Sequence, residues 1–328
     1  MRLRRRTRIE RLRDRGDSRR LIKILDKHDW LVDRDGMAQD LEVGRRVDAV
    51  KALGTIDTDH AEEGVVRALD DGDRRVRVAA VDALLPSPSD LAAETLARTA
   101  AGWRGPDFER ERAAAVSVLA DLDDESLAVV YAQTLANDPD RDELAAQDEE
   151  DLRRLFGSAG GADAAALAER LAERLGEADE RRRRRAHQVL VTLGATAVVP
   201  LTAALQDPVR QELACTALGQ VRDKRAVPAL VRLLGSGDTG ARAAAARALG
   251  DIRDGGALEA LVHAASDSDA RVRDAALEAL DKLRSLVAGL GAAALAESLE
   301  RGAAEGGTPG APANGHDRRA ILRRLLGR

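Results

Sequence analysis

Aromatic residues are scarce in this chain of 328 residues, at 2% of the composition. Apolar residues still make up 44% of it, so Ala, Leu and Val must build the core. So few rings argue against an aromatic-lined small-molecule pocket and against platforms on which single-stranded bases stack. Strand-like patterns are nearly absent as well, which predicts an all-α protein.

Cysteine is as rare, with Cys215 standing alone in the Ala-rich segment ELACTALG. One cysteine excludes an intramolecular disulfide framework and zinc sites of the Cys-x-x-Cys type, and we expect a small buried residue. The five histidines are scattered and form no His-x-x-x-His or His-Glu pair. Phosphate-binding loops and nucleophile elbows are missing too. The sequence therefore predicts a protein that is not an enzyme, with no catalytic residue, metal or cofactor.

Long apolar runs are also lacking. No stretch of about 18 apolar residues occurs, and no apolar core follows the basic start MRLRRRTRIERLR. We therefore expect no membrane span, no secretory signal and a cytoplasmic location. The net charge is −5, with 47 Arg against 5 Lys and 36 Asp against 21 Glu. This usage is typical of a prokaryotic protein from a high-GC genome or a salt-adapted cytoplasm.

One pattern recurs along most of the chain. Residues 225–250 read RAVPALVRLLGSGDTGARAAAARALG, and residues 61–84 and 256–280 repeat the plan. Each copy has an apolar helical stretch, a short Asp/Gly/Ser turn and an Ala-rich helix closing on Ala-Leu. Such a period predicts a solenoid, with about eight helix pairs. Their ends fall at residues 54, 85, 120, 157, 194, 219, 250 and 281.

The repeats suggest a division of the chain into five segments. We predict a basic N-terminal capping segment (1–17), the repeat array (18–285), a C-terminal capping helix (286–301), a flexible Gly/Ala/Pro linker (302–317) and a basic amphipathic tail (318–328). The N-terminal segment could also be a basic arm for nucleic acid or anionic lipid. We expect the array to be monomeric.

The second helix of the clear copies has an acid four residues before an Arg. This spacing puts both on one helix face, with the acid at the helix start. We predict a ladder of charge-assisted bonds along the loops, structural rather than catalytic because it is built in every repeat. The ladder residues are Glu42, Arg46, Asp73, Arg77, Asp238, Arg242, Asp269 and Arg273.

The middle copies break this rule. Phe108 stands where the acid before Arg112 belongs, in a loop that reads AGWRGPDF. An exposed Trp beside an Arg is typical of interface hot spots, so Trp103, Arg104 and Phe108 are candidate partner-binding residues. Ordinary packing of a longer loop is the alternative.

Two basic segments are further candidates. Arg181, Arg182 and Arg183 open the densest basic run, which either binds phosphate or is a solvated surface paired with nearby acids. The tail places apolar residues on one helical stripe among arginines. It could dock in the array's own groove, bind a partner, touch an anionic membrane, or have no role. Its candidate residues are Arg318, Arg319, Ile321, Leu322, Arg323, Arg324 and Leu325.

The pattern A-x-P-A-L-x-x-L-L followed by D-x-x-V-R-x-x-A-x-x-A-L-G resembles HEAT repeats, in the short form named after phycobilisome lyases. Pro200 and Pro228 occupy the proline position of that family's first helix. The resemblance covers roughly four fifths of the chain and implies a right-handed α-α superhelix. It also implies that the second helices line one long surface.

Three functions remain open on the sequence. The leading hypothesis is a non-catalytic scaffold or adaptor that binds a protein partner on the repeat surface. Nucleic-acid binding through the basic segments is the second hypothesis, against which the net negative charge counts. A bilin lyase-like or chaperone subunit, implied only by the resemblance, is the third.

Overall fold

The structure is a computed structural model that describes residues 7–26, 37–84, 88–122, 124–157 and 161–290, with the side chains of 37–42 and 284–290 left out. All regular structure in these ranges is helical, with no strand among them. The α-helices are α1 Arg8–Arg13, α2 Ser18–Leu25, α3 Met37–Leu53, α4 Asp59–Arg67, α5 Arg74–Leu84, α6 Asp90–Gly102, α7 Glu109–Asp121, α8 Glu125–Asn137, α9 Ala146–Phe156, α10 Ala162–Arg174, α11 Glu180–Leu193, α12 Val198–Ala204, α13 Gln211–Val221, α14 Val227–Ser236, α15 Thr239–Ile252, α16 Leu258–Ala264 and α17 Ala270–Leu290.

In the stretches α2–α9 and α10–α17, each taken by itself, first and second helices of successive pairs alternate along the chain. Within the first part of the chain, α2, α4, α6 and α8 pack in succession, as do α3, α5, α7 and α9. Farther on, α11, α13, α15 and α17 form the same succession of second helices. This alternation gives eight helix pairs in the described residues. The predicted all-α class of stacked helix pairs is confirmed.

Two compact units make up the chain. The N-terminal unit comprises Met1–Arg141 with Ala145–Ser158, and the C-terminal unit comprises Asp142–Leu144 with Ala159–Arg328. In both units the buried core is almost entirely Ala, Leu and Val, with Trp103 and Tyr131 as the only buried rings in the described residues. Small residues therefore do the packing that aromatics do elsewhere.

Polar side chains start the helices. An oxygen of the residue before the helix accepts a backbone N–H of the first turn, which supplies a partner that the helix itself lacks. The residues that do so include Asp17, Thr58, Ser89, Asp124, Asp179 and Asp238. The Asp/Gly/Ser turns of the repeats are therefore helix caps as well as turns.

Glycine at the end of a second helix lets neighbouring repeats approach closely. A Cβ on Gly250 would lie 2.7 Å from the Cβ of Ala279 in the next repeat, and one on Gly219 would lie 3.0 Å from the Cα of Ala248. Gly54 meets Ala83 in the same register, with 2.6 Å between the Cβ positions. At these three positions the Leu-Gly ending is thus a stacking contact.

The structure describes part of the predicted N-terminal segment and contradicts one predicted boundary near the C-terminus. In the N-terminal segment, α1 packs against α2 and α3 and buries Leu12. The boundary predicted between residues 285 and 286 is wrong, because α17 runs unbroken through it to Leu290. The linker and the tail lie outside the described residues.

Candidate functional site

The ladder arginines reach from one repeat to the next. Arg46 of α3 donates from Nε and Nη2 to both carboxylate oxygens of Asp71, at 3.0 and 3.1 Å. Arg242 of α15 makes the same fork to Asp267, at 3.1 and 2.9 Å. In each case the acid lies 25 residues farther along, in the turn before the next second helix. Bidentate Arg–carboxylate pairs are among the stronger polar contacts in proteins.

The predicted acids have a different task, so their assignment as the partners of the ladder arginines is wrong. Asp238 caps α15 by accepting the amide of Ala241 at 2.8 Å. Asp73 and Asp269 accept the amides two residues ahead of them, at 2.8 Å each. Arg273 donates to backbone carbonyls of its own turn, at 2.8 and 2.9 Å. The Glu42 side chain lies outside the described part of the structure.

Electrostatics are consistent with the inter-repeat pair. Burial opposes ionisation of Asp267, yet hydrogen bonds from Arg242 and from the amide of Asp269 hold its pKa below the usual range. The same bond with Asp267 raises the pKa of Arg242. Both shifts favour the charged forms of the pair.

The acid that sequence reasoning missed stands two residues before each capping Asp. Asp71 and Asp267 occupy that position, and each also accepts the amide of the capping Asp at 2.8 Å. Where the chain has Gln211 in place of an Arg, the following turn has Ser236 at the acid position. Because the arginine and the turn acid are replaced together, this pattern could have identified the two as partners from the sequence.

Trp103 is an anchor of the irregular third pair. Its side chain is 6% exposed, and its ring stacks on Phe108 with 6.3 Å between centroids. The guanidinium of Arg77 lies over the other aromatic, 4.5 Å from the Phe108 centroid. The prediction of an exposed tryptophan for partner binding is therefore wrong, because the Trp103 ring is buried against a half-buried Phe108.

Arg77 also shows how the third pair compensates for its missing turn acid. It binds Glu111 of α7 at 2.9 Å, and that side chain is fully buried. Arg74 supplies a second cation to Glu111 at 3.3 Å. The bridge to the next repeat is kept, but its acid has moved inside the helix.

A buried network joins the third and fourth pairs. Arg112 of α7 contacts Asp148 and Asp151 of α9 at 3.3 and 3.2 Å. Arg141 also binds Asp148, and the Tyr131 hydroxyl donates to Asp151 at 3.1 Å. Burial raises the pKa of Asp151, although hydrogen bonds and positive charge from its neighbours oppose this shift. Burial is also the main cause of the raised pKa of Tyr131, and the charge of Asp151 is the second cause.

This network positions Arg104 at a surface groove. Asp138 binds both Arg104 and Arg141, and its side chain is 9% exposed while that of Arg104 is 41% exposed. Burial opposes ionisation of Asp138, but bonds from the Asp140 amide and the two guanidinium groups hold its pKa below the usual range. Arg104 is thus a fixed cation with an open face.

The groove runs between α6 and α8, both first helices of the N-terminal unit, and has a volume of about 560 Å³. Donors and acceptors line both walls, beside apolar surface to which Val130 and Pro139 contribute. A surface of this kind can hydrogen-bond an extended chain that lies along it. The polar and charged residues at its walls are Glu94, Arg98, Arg104, Gln133, Thr134, Asn137 and Asp138.

The basic run at the start of α11 is largely paired. Arg181 binds Asp142 at 2.9 Å, Arg182 binds Asp179 at 3.6 Å and Arg184 binds Glu180 at 2.7 Å. Arg183 is half-buried. The acids nearby reduce the field that a phosphate group would feel.

Several other expectations concern single residues. Cys215 is fully buried, and burial, with a smaller effect of the charge of Glu212, raises the pKa of its thiol to about 12. Such a thiol is not nucleophilic at neutral pH. In the described ranges no group of three His, Cys, Asp or Glu could hold a metal ion. The seven tail residues proposed for partner binding lie outside those ranges.

By length and composition alone, one helical stretch within the described residues could cross a membrane, Glu180–Ala204. It consists of α11 and α12, joined at Gly194, where φ is +57°. Val189, Leu190 and Leu201 are fully buried within the protein. Its apolar character is explained by the core that these two helices build.

The HEAT repeats family model matches residues 198–281, which hold most of the last three helix pairs. This part of the chain is similar to HEAT repeats. The curated proteins give no match.

Solved helical proteins are similar at low levels. Human deoxyhypusine hydroxylase in complex with glycerol is 22% identical, with 84% of this chain and 99% of that chain covered and a TM-score of 0.33. Kap121p is 13% identical with a TM-score of 0.37, and Kap121p bound to Nup53p is 14% identical with a TM-score of 0.38. The match to Kap121p covers 94% of this chain but only 45% of Kap121p. The match to Kap121p bound to Nup53p covers 81% of this chain and 37% of that chain. These likenesses assign no activity or partner to this chain.

Proposed function

We propose that this protein is a non-catalytic scaffold that binds an extended segment of a protein partner in the groove between α6 and α8. The groove carries the proposal, because hydrogen-bonding side chains stand on both walls and Arg104 is held in place from below. A partner that pairs with Arg104 loses little side-chain entropy, since Asp138 already fixes that guanidinium. Location in the cytoplasm is part of this proposal.

The proposal extends the HEAT-repeat character to the whole array. Support comes from the shared register: Gly54 and Gly250 make the same contact, and the Arg46 and Arg242 forks span the same 25 residues. We place the repeats in the short form found in phycobilisome lyases, from a prokaryotic source. The bilin lyase-like alternative has little support, since no buried ring beyond Trp103 and Tyr131 occurs in the described part.

A capture experiment tests the groove. Tagged full-length protein is incubated with native cell extract, with and without nuclease, and the proteins retained are quantified by mass spectrometry. The variant Arg98→Ala with Gln133→Ala removes exposed groove contacts. Arg67→Ala is the matched control, because Arg67 is equally exposed and pairs with Glu63 as Arg98 pairs with Glu94, four residues back.

We expect a defined partner that survives nuclease, is retained by Arg67→Ala and is lost with the double groove variant. Equal recovery by all three proteins would rule the groove out as the binding site. Recovery that depends entirely on intact nucleic acid would replace the scaffold with the nucleic-acid hypothesis.

A further inference from the structure

Consecutive second helices stack through one stripe of residues. On α15 this stripe is Ala243, Ala246 and Gly250, all buried. Residues three and seven apart share a helix face, and the position of Gly250 faces Ala279 of α17 at 2.7 Å. The stripe is therefore the surface by which a repeat contacts the following one.

The corresponding stripe on α17 has a different chemistry. The same positions, 31 residues on, are Asp274, Leu277 and Asp281. Both acids are exposed, and Leu277 is half-buried. Glu278 lies beside the stripe and pairs with Lys282 at 2.9 Å. A small apolar stripe has become an acidic one with a leucine at its centre.

This change rules out at α17 the small-residue contact that Gly250 makes. Stacking at Gly250 leaves no space even for a Cβ, so a carboxylate at the equivalent position 281 is incompatible with the same contact. A second copy of the chain cannot continue the stack at α17 through that contact for the same reason. The stripe instead suits an occupant that brings positive charge and a narrow apolar strip.

We propose that the tail, residues 318–328, packs on the acidic stripe of α17 in the same molecule. Its five arginines match the acids, and Ile321, Leu322 and Leu325 can cover Leu277. The 27 residues between Leu290 and Arg318 can extend to about 90 Å, which is ample. Eleven residues form no stable helix alone, so docking has to order them.

Charge selects the tail over the segment that directly follows α17. Residues 291–301 carry Glu297 and Glu300 with a single cation, Arg301. That segment is net negative and would be repelled by Asp274 and Asp281. The tail has the opposite sign and the apolar residues on one side.

Hydrogen–deuterium exchange of the full-length protein tests the docking. The tail's exchange is compared with that of a free synthetic peptide of residues 318–328, at low and high salt. The variant Asp274→Arg with Asp281→Arg reverses the stripe. Asp163→Arg with Glu169→Arg, two exposed acids on α10, is the matched control. A chain ending at Arg301 reports on residues 270–283 without the tail.

We expect the tail to exchange at least about tenfold more slowly in the full chain than as a free peptide, with the difference lost in the stripe variant and at high salt. Arg319→Asp with Arg323→Asp should restore protection in the reversed stripe. The proposal is overturned if the tail exchanges like the free peptide, if the α10 control removes protection equally, or if the 1–301 chain leaves residues 270–283 as protected as before. Protection that disappears on dilution would assign the stripe to a second copy and overturn it too.

Discussion

The regular repeats at the end of the chain and the irregular third and fourth pairs solve one problem in two ways. Between α15 and α17 the helices meet through glycine and alanine, and one partly exposed fork joins Arg242 to Asp267. Around α7 and α9 the contact is built from buried charge, with Glu111 and Asp148 fully inaccessible. Both devices link a repeat to the next one.

The difference teaches where specificity resides. Small-residue stacking recurs in the same form at Gly54, Gly219 and Gly250, so it does not distinguish these copies from one another. Buried ion pairs tolerate few partners, because an unmatched charge in the interior is costly. The irregular pairs are therefore the part of the array whose contacts differ from those of the other repeats, and the groove with Arg104 lies there.

The largest effect is expected for Asp148→Ala. It would leave Arg112 and Arg141 buried without their shared carboxylate, and we expect a loss of about 3–5 kcal/mol in the free energy of unfolding. Asp267→Ala in the regular repeats should cost about 1–2 kcal/mol, since Arg242 stays near solvent. Urea denaturation measures both, and equal losses would erase the distinction between the two regions.

A smaller effect should follow from Gly250→Ala. Alanine normally stabilises a helix relative to glycine, but here its Cβ meets Ala279, so we expect a loss of about 1–3 kcal/mol. Gly235→Ala in α14 is the control, because nothing lies within 4 Å of its Cβ position. It should gain roughly 0.5–1 kcal/mol. The same sign for both variants in thermal denaturation would exclude tight stacking at Gly250.

Arg253→Gly should stabilise the chain slightly. Arg253 ends α15 with φ of 56°, a left-handed conformation in which a Cβ is unfavourable. Its side chain is exposed, so we expect a gain of about 0.5–1 kcal/mol. Arg222, with φ of 58° at the same place in the preceding repeat, should respond equally. A loss at either site would reveal a role for that arginine.

The pH dependence of stability should carry a contribution from His187. Burial lowers the pKa of this imidazole, and its Nε2 has no hydrogen-bond partner. The unfolded chain then binds a proton more readily, so stability is lost as pH falls below the ordinary histidine pKa. His187→Gln should flatten the profile between pH 7 and about 5. His263→Gln, at an exposed site, is the control, and an unchanged profile in His187→Gln would remove this assignment.

Much of the fold could be predicted from the sequence repeats, because the helical period and the composition of the turns are local properties of the sequence. The pair that ends at residue 157 matches the repeat weakly and is predicted mainly from the spacing, and α8 and α9 lie where that spacing requires them. The ladder was predicted with the wrong acids, since a spacing of four residues does not reveal that Asp73 is committed to backbone amides. That commitment depends on turn geometry.

The candidate site was less predictable. Trp103 and Phe108 stand in a loop with arginines, and the sequence does not show whether such rings face outward or inward. Arg77 decides this by lying over Phe108, and it comes from the preceding repeat. The groove at Arg104 likewise depends on Asp138 and Arg141, which no period places together.

A double-mutant cycle measures the central claim most directly, namely that the ladder arginines Arg46, Arg77 and Arg242 bridge to the following repeat. Unfolding free energies are compared for Arg242→Ala, Asp267→Ala and the double variant, and again with Asp238→Ala in place of Asp267→Ala. The account predicts a coupling of about 1 kcal/mol or more for Arg242 with Asp267 and about zero with Asp238. A coupling confined to Asp238 would contradict it, because the ladder would then close within single helices.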